Sequence, residues 1–208
     1  PALVRGKRVN IHAENGTVRG ITAAPPIHLA ERDGDSKAPK HHENFIDIGV
    51  ENKEAAEALI EIGDPITFVD DFEILRDDVA ISRGFDNRIG TWAAAEALRL
   101  LAEQRGNLQA KVVAVSTVME EIGGHGAHLA AYRLEPDVAL VVDVTHATDW
   151  PGPSKTKHGD VKMGKGPVIE HSALVHPVVR KRLVQVAKSK EIPVQFAASP
   201  GSTESTRS

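Results

Sequence analysis

The pattern of hydrophobic and polar positions differs on the two sides of residue 77. In residues 1–76, short runs alternate between apolar and polar side chains, as half-buried strands do, and Asn15–Gly16 joins two of these runs in a predicted β-hairpin. The segments FIDIGV and DPITFV predict further strands. Between them, NKEAAEALIEIGD predicts a helix that Asn52 caps and Gly63 ends. A small β-rich domain is therefore expected in this region.

Residues 77–208 show a different rhythm, in which apolar β-branched runs alternate with helical patterns. The predicted strands are DDVAIS, AKVVAVSTV, PDVALVVDV and IPVQFAA, and the predicted helices are TWAAAEALRLLAEQRG, GAHLAAYRL and HPVVRKRLVQVAKSKE. An apolar stripe through Ile89, Trp92 and Leu100 predicts the buried face of the first of these helices. Such alternation predicts an α/β fold with a mixed, largely parallel sheet and flanking helices.

Composition narrows the class of protein. With 41% hydrophobic residues, 26% charged residues and a formal net charge of −4, the chain is typical of globular proteins and has no basic patch for a nucleic acid. It contains no cysteine, so any metal must be held by His, Asp and Glu. It has neither a membrane-length apolar run nor a signal-peptide pattern, so a cytoplasmic protein without membrane partners is expected. Neither end has the pattern of a natural terminus, and an incomplete chain is expected.

Acidic residues stand where several predicted strands end. Glu120 and Glu121 follow the strand at 111–118, and Asp143 ends the strand at 138–143. A right-handed crossover would make these strands parallel, so that both carboxyl ends lie at one edge of the sheet, where open α/β sheets bind ligands. Asp86 lies in a glycine-started turn before a helix and reaches the same edge if the strand before it joins that sheet.

Carboxylates that converge at one edge repel each other unless they are protonated or a cation lies between them. At close contact each pair repels by a few kcal/mol at an effective dielectric of about 20. Two divalent ions would be balanced by Asp86, Glu121, Asp143 and one hydroxide, an arrangement that suits a dinuclear site. Successive side chains point in different directions, so one of the neighbouring glutamates can bind metal while the other acts as general base.

Each acidic residue also has an ordinary interpretation. A single Asp at a strand end is commonly a helix cap or a surface charge, and an isolated Glu–Glu pair is commonly solvated. The occurrence of all of them at strand-to-helix junctions favours a site.

The ordered motifs GFDNRIG, STVMEEIGGHGA, VVDVTHATDWPG and GKGPVIEHSALVHP resemble those of the dinuclear-metal aminopeptidases of the tetrahedral type, some of which have been labelled endoglucanases. The resemblance covers nearly the whole chain. It implies that residues 1–76 are a PDZ- or barrel-like dimerisation domain, incomplete at its N-terminus. Residues 77–208 would be part of a zinc-exopeptidase-like catalytic domain, truncated at its C-terminus.

The resemblance also implies roles for single residues. Asp86 would bridge both metals and precede a cis peptide, and Asn87 stands where an Asp is common. The remaining implied roles are general base for Glu120, metal ligands for Glu121 and Asp143, orientation of these carboxylates for Arg88 and Asp149, and a polar substrate contact for Glu204.

Cofactors and partners follow from the same resemblance: two divalent ions per subunit, Zn or Co, short peptide substrates, and dimers that assemble into a dodecamer. Two further histidine ligands are expected outside this chain. His125 and His146 lie within two of the motifs, and either could approach the metals. Two other functions stay open. One is a glycoside hydrolase that uses Glu120 or Glu121, and the other is a non-catalytic assembly or binding module.

Overall fold

A computed structural model describes residues 6–23 and 44–198. The chain divides into two compact units, Pro1–Arg83 and Gly84–Ser208. The domain boundary predicted after residue 76 lies shortly before the end of the first unit. The prediction for Glu204 falls outside the described residues.

The fold is mixed α/β. Its strands are β1 (Arg8–Ala13), β2 (Gly16–Ala23), β3 (Phe45–Asp47), β4 (Ile66–Phe68), β5 (Glu73–Arg76), β6 (Val79–Ile81), β7 (Val168–His171) and β8 (Gln195–Ala198). Its α-helices are α1 (Lys53–Glu57), α2 (Phe85–Ala102), α3 (His125–Leu134), α4 (Lys155–His158) and α5 (Pro177–Ser189).

An antiparallel sheet in the order β3-β2-β1-β4 forms the centre of the first unit. The predicted hairpin is confirmed, because β1 pairs with β2 and Ala13 stands opposite Gly16 at the turn. The alternating pattern of β1 buries Val9 and Ile11, which are 1% and 3% exposed. These side chains form the core of the unit, since the polar side chains between them point to the other face of the sheet.

Helix α1 is shorter than predicted. Asn52 caps it as expected, and its Oδ1 accepts a hydrogen bond of 2.9 Å from the backbone N–H of Ala55. The helix ends at Glu57, however, and the prediction that it continues to Gly63 is wrong. The carboxylate of Asp64 accepts a hydrogen bond of 2.8 Å from the N–H of Glu61, and this local bond replaces a helical turn.

The strand that precedes Asp86 does not join a parallel sheet among the described residues. Strand β6 pairs antiparallel with β5, a strand that the apolar pattern does not reveal. Only two residues connect β5 and β6, and Asp77 takes a left-handed conformation with φ of 49° in this turn. A turn this short can join only antiparallel neighbours, which explains the pairing.

The second unit contains the three predicted long helices, which are confirmed as α2, α3 and α5. Strands β7 and β8 form a parallel pair, and α5 packs against β7. The predicted strands at 111–118 and 138–143 are not strands within the part of the chain that the structure describes. The larger parallel sheet is therefore not observed there.

The apolar face predicted for α2 is not buried. Trp92 is 64% exposed, and Ile89 and Leu100 are each 47% exposed. The prediction that this stripe is core is therefore wrong for the chain as described, because the neighbouring apolar segments do not cover it. No helix in the described residues has the length and the apolar content that crossing a membrane requires.

Candidate active site

Helix α2 begins with an irregular turn that carries Asp86. Gly84 precedes it in a left-handed conformation with φ of 76°, which a glycine adopts without steric cost. Asp86 and Asn87 have non-helical backbone angles, and the peptide bond between them is cis, as the resemblance implies. The regular helix therefore starts after Asn87, and the exposed side chain of Asp86 stands on the turn before it.

The side-chain amide of Asn87 links this turn to the segment that ends at Asp143. Its Oδ1 accepts a hydrogen bond of 2.9 Å from the N–H of Gly90, and its Nδ2 donates one of 2.8 Å to the carbonyl of Val142. Asn87 and Val142 are the direct sequence neighbours of Asp86 and Asp143. The structure thus brings together two of the positions that were predicted to share one edge.

Gly90 makes this contact possible. It is the buried residue of α2, and a Cβ added to it would collide with the amide of Asn87 and with the carbonyl oxygen of Val142. Only a glycine lets the first turn of the helix approach residue 142 this closely.

Glu120 and Glu121 lie in a second tight turn. Met119 adopts a left-handed conformation with φ of 61°, and the N–H of Gly124 donates a hydrogen bond of 2.8 Å to its carbonyl. The N–H of Gly126 donates a hydrogen bond of 3.1 Å to the carbonyl of Val118, and a Cβ on Gly126 would collide with the backbone of Val118. The chain therefore turns from the apolar segment directly into α3, with both glutamates on the turn.

The two glutamates differ in their surroundings. Glu120 is half-buried, whereas Glu121 is exposed. This difference agrees with the expectation that successive side chains face different ways. Which glutamate binds metal and which acts as the general base stays a prediction.

Asp143 and Asp149 both bind backbone amides. Asp143 accepts a hydrogen bond of 2.7 Å from the N–H of Val144, and Asp149 accepts one of 3.1 Å from the N–H of Met163. Asp149 thereby holds two loops together. Its predicted action on the metal-binding carboxylates stays a prediction, as does that of Arg88, whose side chain lies over Gly84 at the start of its own helix.

Thr148 is a residue of this region that the sequence reasoning missed. It is 3% exposed, and its backbone N–H donates a hydrogen bond of 2.7 Å to the carbonyl of Val161. Its hydroxyl donates to the carbonyl of Gly159 at 2.8 Å and accepts from the N–H of Val161 at 2.9 Å. These bonds fix the loop that follows Asp143. No periodic pattern marks such a residue, and its setting within the HATDWPG loop is the only signal in the sequence.

Gln195 secures the neighbouring loop in a similar way and was also missed. Its Oε1 accepts a hydrogen bond of 2.8 Å from the N–H of Lys162, and its Nε2 donates to the carbonyls of Lys162 and Gly166, each at 2.9 Å. The loop at 162–166 is thereby attached to β8.

The donor atoms fit divalent ions in kind but do not complete a metal site. Asp86, Glu121 and Asp143 offer carboxylate oxygens, which Zn and related ions accept. Within residues 6–23 and 44–198, however, no group of three or more His, Asp or Glu side chains is arranged to hold a metal ion. The described residues alone therefore do not hold the predicted pair of ions.

Comparison with known proteins identifies the family. The model of the M42 glutamyl aminopeptidase family matches residues 1–208, and the chain belongs to this family. A putative aminopeptidase of Acetivibrio thermocellus is 35% identical over 92% of this chain and 54% of its own length. A lysyl aminopeptidase of Pyrococcus furiosus is 30% identical over 98% of this chain and 57% of its own length.

Solved structures agree with this assignment. The TET aminopeptidase of a marine sediment Thaumarchaeota archaeon has a TM-score of 0.85 and 34% identity, and covers 97% of this chain and 58% of its own. The TET1 peptidase of Pyrococcus horikoshii has a TM-score of 0.80 and 32% identity, with 98% and 60% covered. The chain spans little more than half the length of the relatives it matches.

Proposed function

We propose that this chain is part of a metal-dependent aminopeptidase that removes N-terminal residues from short peptides. The observation that carries the proposal is the family match over residues 1–208, because it includes every turn that carries a candidate acidic residue. The link between Asn87 and Val142 supports it, because it holds the Asp86 turn against the segment that carries Asp143. The aminopeptidase function of the relatives supports the choice of substrate.

Glu120 is the proposed general base. Its carboxylate takes a proton from the attacking water and later gives that proton to the leaving amine of the peptide. Its position on the turn between the apolar segment and α3, with a side chain less exposed than that of Glu121, supports this role.

Asp86, Glu121 and Asp143 are the proposed metal ligands of this chain and would help to hold two divalent ions, Zn or Co. The remaining ligands are proposed to come from polypeptide outside the described residues, since those residues complete no site. When bound, such ions lower the pKa of a water molecule and polarise a carbonyl group. Arg88 and Asp149 are proposed to orient the carboxylates, and Glu204 to contact the substrate.

The substitution Glu120→Gln tests the proposed base. It keeps the shape of the side chain and removes the group that accepts the proton. We expect kcat on an aminoacyl-peptide substrate to fall by about 10²–10⁴-fold, while the metal content of the full-length protein stays unchanged.

Two controls accompany this variant. Glu121→Gln should lower the metal content, measured by mass spectrometry of the purified protein, because it removes a proposed ligand. Glu103→Gln, at the exposed residue that follows α2, should change neither quantity. Full turnover by the Glu120→Gln enzyme would exclude Glu120 as the base.

A glycoside hydrolase is the second candidate. An endoglucanase of Thermotoga maritima is 22% identical with a TM-score of 0.62, and this likeness shows the fold alone. Adjacent glutamates fit glycoside hydrolysis poorly, because the paired carboxyl groups should be about 5–9.5 Å apart across a sugar ring. A chelator separates the candidates. The peptidase should lose activity and regain it with Zn or Co, whereas hydrolysis of a glucan should persist.

We also propose that the protein is a homo-oligomer in which dimers assemble into a dodecamer, with residues 1–76 as the dimerisation domain. The TET1 peptidase of Pyrococcus horikoshii can assemble into a tetrahedron or a large octahedral shell, which supports this proposal. Light scattering of the full-length protein should give the mass of twelve subunits.

A non-catalytic assembly module is the remaining alternative. If the protein is only such a module, Glu120→Gln changes neither turnover nor metal content.

A further inference from the structure

The amide of Asn87 uses both of its ends in the contact between the Asp86 turn and Val142. Oδ1 accepts from the N–H of Gly90 at 2.9 Å, and Nδ2 donates to the carbonyl of Val142 at 2.8 Å. Rotating the amide by 180° would set Nδ2 against an N–H donor and Oδ1 against a carbonyl acceptor. The orientation given is therefore the only one that satisfies both partners.

Of the side chains that are close to asparagine in shape, only the amide makes both bonds. An aspartate could still accept the hydrogen bond from Gly90, but it would place a carboxylate oxygen against the carbonyl oxygen of Val142. Leucine would make neither bond. The absence of a Cβ at Gly90 completes the arrangement, because the space that Cβ would fill holds the amide of Asn87 and the carbonyl of Val142.

We infer that Asn87 is a positioning residue that holds the Asp86 turn against Val142 and so fixes the spacing between Asp86 and Asp143. The inference rests on the proposed function, in which both carboxylates belong to one site. Asn87 acts only through the positions of Asp86 and Asp143. Its loss should therefore lower turnover and leave the binding of a peptide substrate nearly unchanged.

Two variants of the full-length protein separate the two hydrogen bonds. Asn87→Asp keeps the acceptor for Gly90 and removes the donor to Val142, whereas Asn87→Ala removes both. We expect kcat to fall by about 10- to 100-fold in each variant, as for other groups that orient the residues of a site, with KM nearly unchanged.

Hydrogen–deuterium exchange gives a readout that does not depend on activity. In both variants the amides of residues 138–146, among them that of Val144, which donates to Asp143, should exchange about 2- to 10-fold faster, because the segment is no longer held at the carbonyl of Val142 and opens more often. The amide of Gly90 should exchange faster only in Asn87→Ala, because the aspartate still accepts its hydrogen bond. This difference between two variants at the same position would not arise from a general loss of stability.

Thr91→Val is the matched control. The hydroxyl of Thr91 donates a hydrogen bond of 3.2 Å to the backbone carbonyl of Asn87, and Thr91 is exposed in the same turn. The control should leave kcat and the exchange of residues 138–146 unchanged.

The outcomes distinguish this inference from the proposed function. If the wild-type protein releases no amino acid from a panel of peptides, the proposed function fails, and the exchange data alone decide whether Asn87 holds the segment. If the wild type is active and Asn87→Asp matches it in kcat and in exchange at 138–146, the inference is overturned while the proposed function stands.

Discussion

The two units of the chain hold their segments in different ways. In the first unit, β1 lies inside a four-stranded sheet, and its alternating pattern buries Val9 and Ile11. In the second unit, the most apolar segments are not in strands within the described part of the chain, and Val141 is 74% exposed. Loops there are held by single polar side chains that bind backbone groups, as Thr148 and Gln195 do.

This difference shows that a local sequence pattern predicts contacts between neighbouring segments but not contacts between distant ones. A hairpin places its partner strand next to it in the sequence, so alternation and a turn signal are sufficient to predict the pairing. A parallel pair needs a partner from a distant part of the chain. A polar residue that holds a loop needs only one or two suitable backbone groups, and these become neighbours only after the chain has folded.

The largest effect on stability is expected in the core of the first unit. Val9→Ala removes two methyl groups from a side chain that is 1% exposed. It should lower the free energy of unfolding by about 2 kcal/mol, through lost burial and the cavity that remains. Urea-induced unfolding measures the change. Val178→Ala, at a position that is 60% exposed, should change the stability by less than about 0.5 kcal/mol. Equal effects of the two substitutions would remove the contrast between core and surface.

A smaller effect is expected when a polar attachment in the second unit is removed. Thr148→Val keeps the shape of the side chain but leaves the N–H of Val161 without its acceptor and the carbonyl of Gly159 without its donor. The cost should be about 1 kcal/mol, because buried polar groups lose their partners. Denaturant unfolding measures this loss of stability. Thr148→Ser retains the hydroxyl and should keep most of the wild-type stability. If Thr148→Val is as stable as the wild type, apolar contacts hold this loop.

The smallest effect is expected at the surface of the same loop. The hydrogen bond from Lys155, whose Nζ lies 2.8 Å from Asp160, holds the pKa of that carboxyl below its ordinary value, and Lys162 adds to the effect. The stabilisation should be complete above about pH 4, the ordinary pKa of Asp, and be lost as the pH falls through the lowered value. Asp160→Asn should therefore lower the melting temperature slightly at pH 7 and not in strong acid. If the melting temperatures of Asp160→Asn and the wild type differ by the same small amount from strong acid to pH 7, an electrostatic origin is contradicted.

The same contrast explains which parts of the fold the sequence predicts. The hairpin at Asn15–Gly16 and the cap at Asn52 depend on residues adjacent in the sequence, and both are confirmed. Strand β5 was missed because its side chains are all exposed and show no alternation. Ile62 lies in the segment that is predicted to be helical up to Gly63, yet it is fully exposed, because the bond between Asp64 and Glu61 closes a turn instead.

For the candidate site, the sequence predicts the acidic side chains but not what holds the segments that carry them. Asp86, Glu120 and Asp143 are predicted because charged residues beside apolar runs stand out. Asn87 was noted only as the residue after Asp86, since nothing in the sequence tells that its amide reaches the carbonyl of Val142.

Gly90 limits how this helix can be engineered. Replacing a glycine inside a helix by alanine is a common route to higher heat resistance, because alanine favours helical backbone by about 1 kcal/mol. At position 90 the added methyl group would enter space already taken by Asn87 and Val142. A change that a helix propensity scale recommends would therefore push the Asp86 turn away from the segment that carries Asp143.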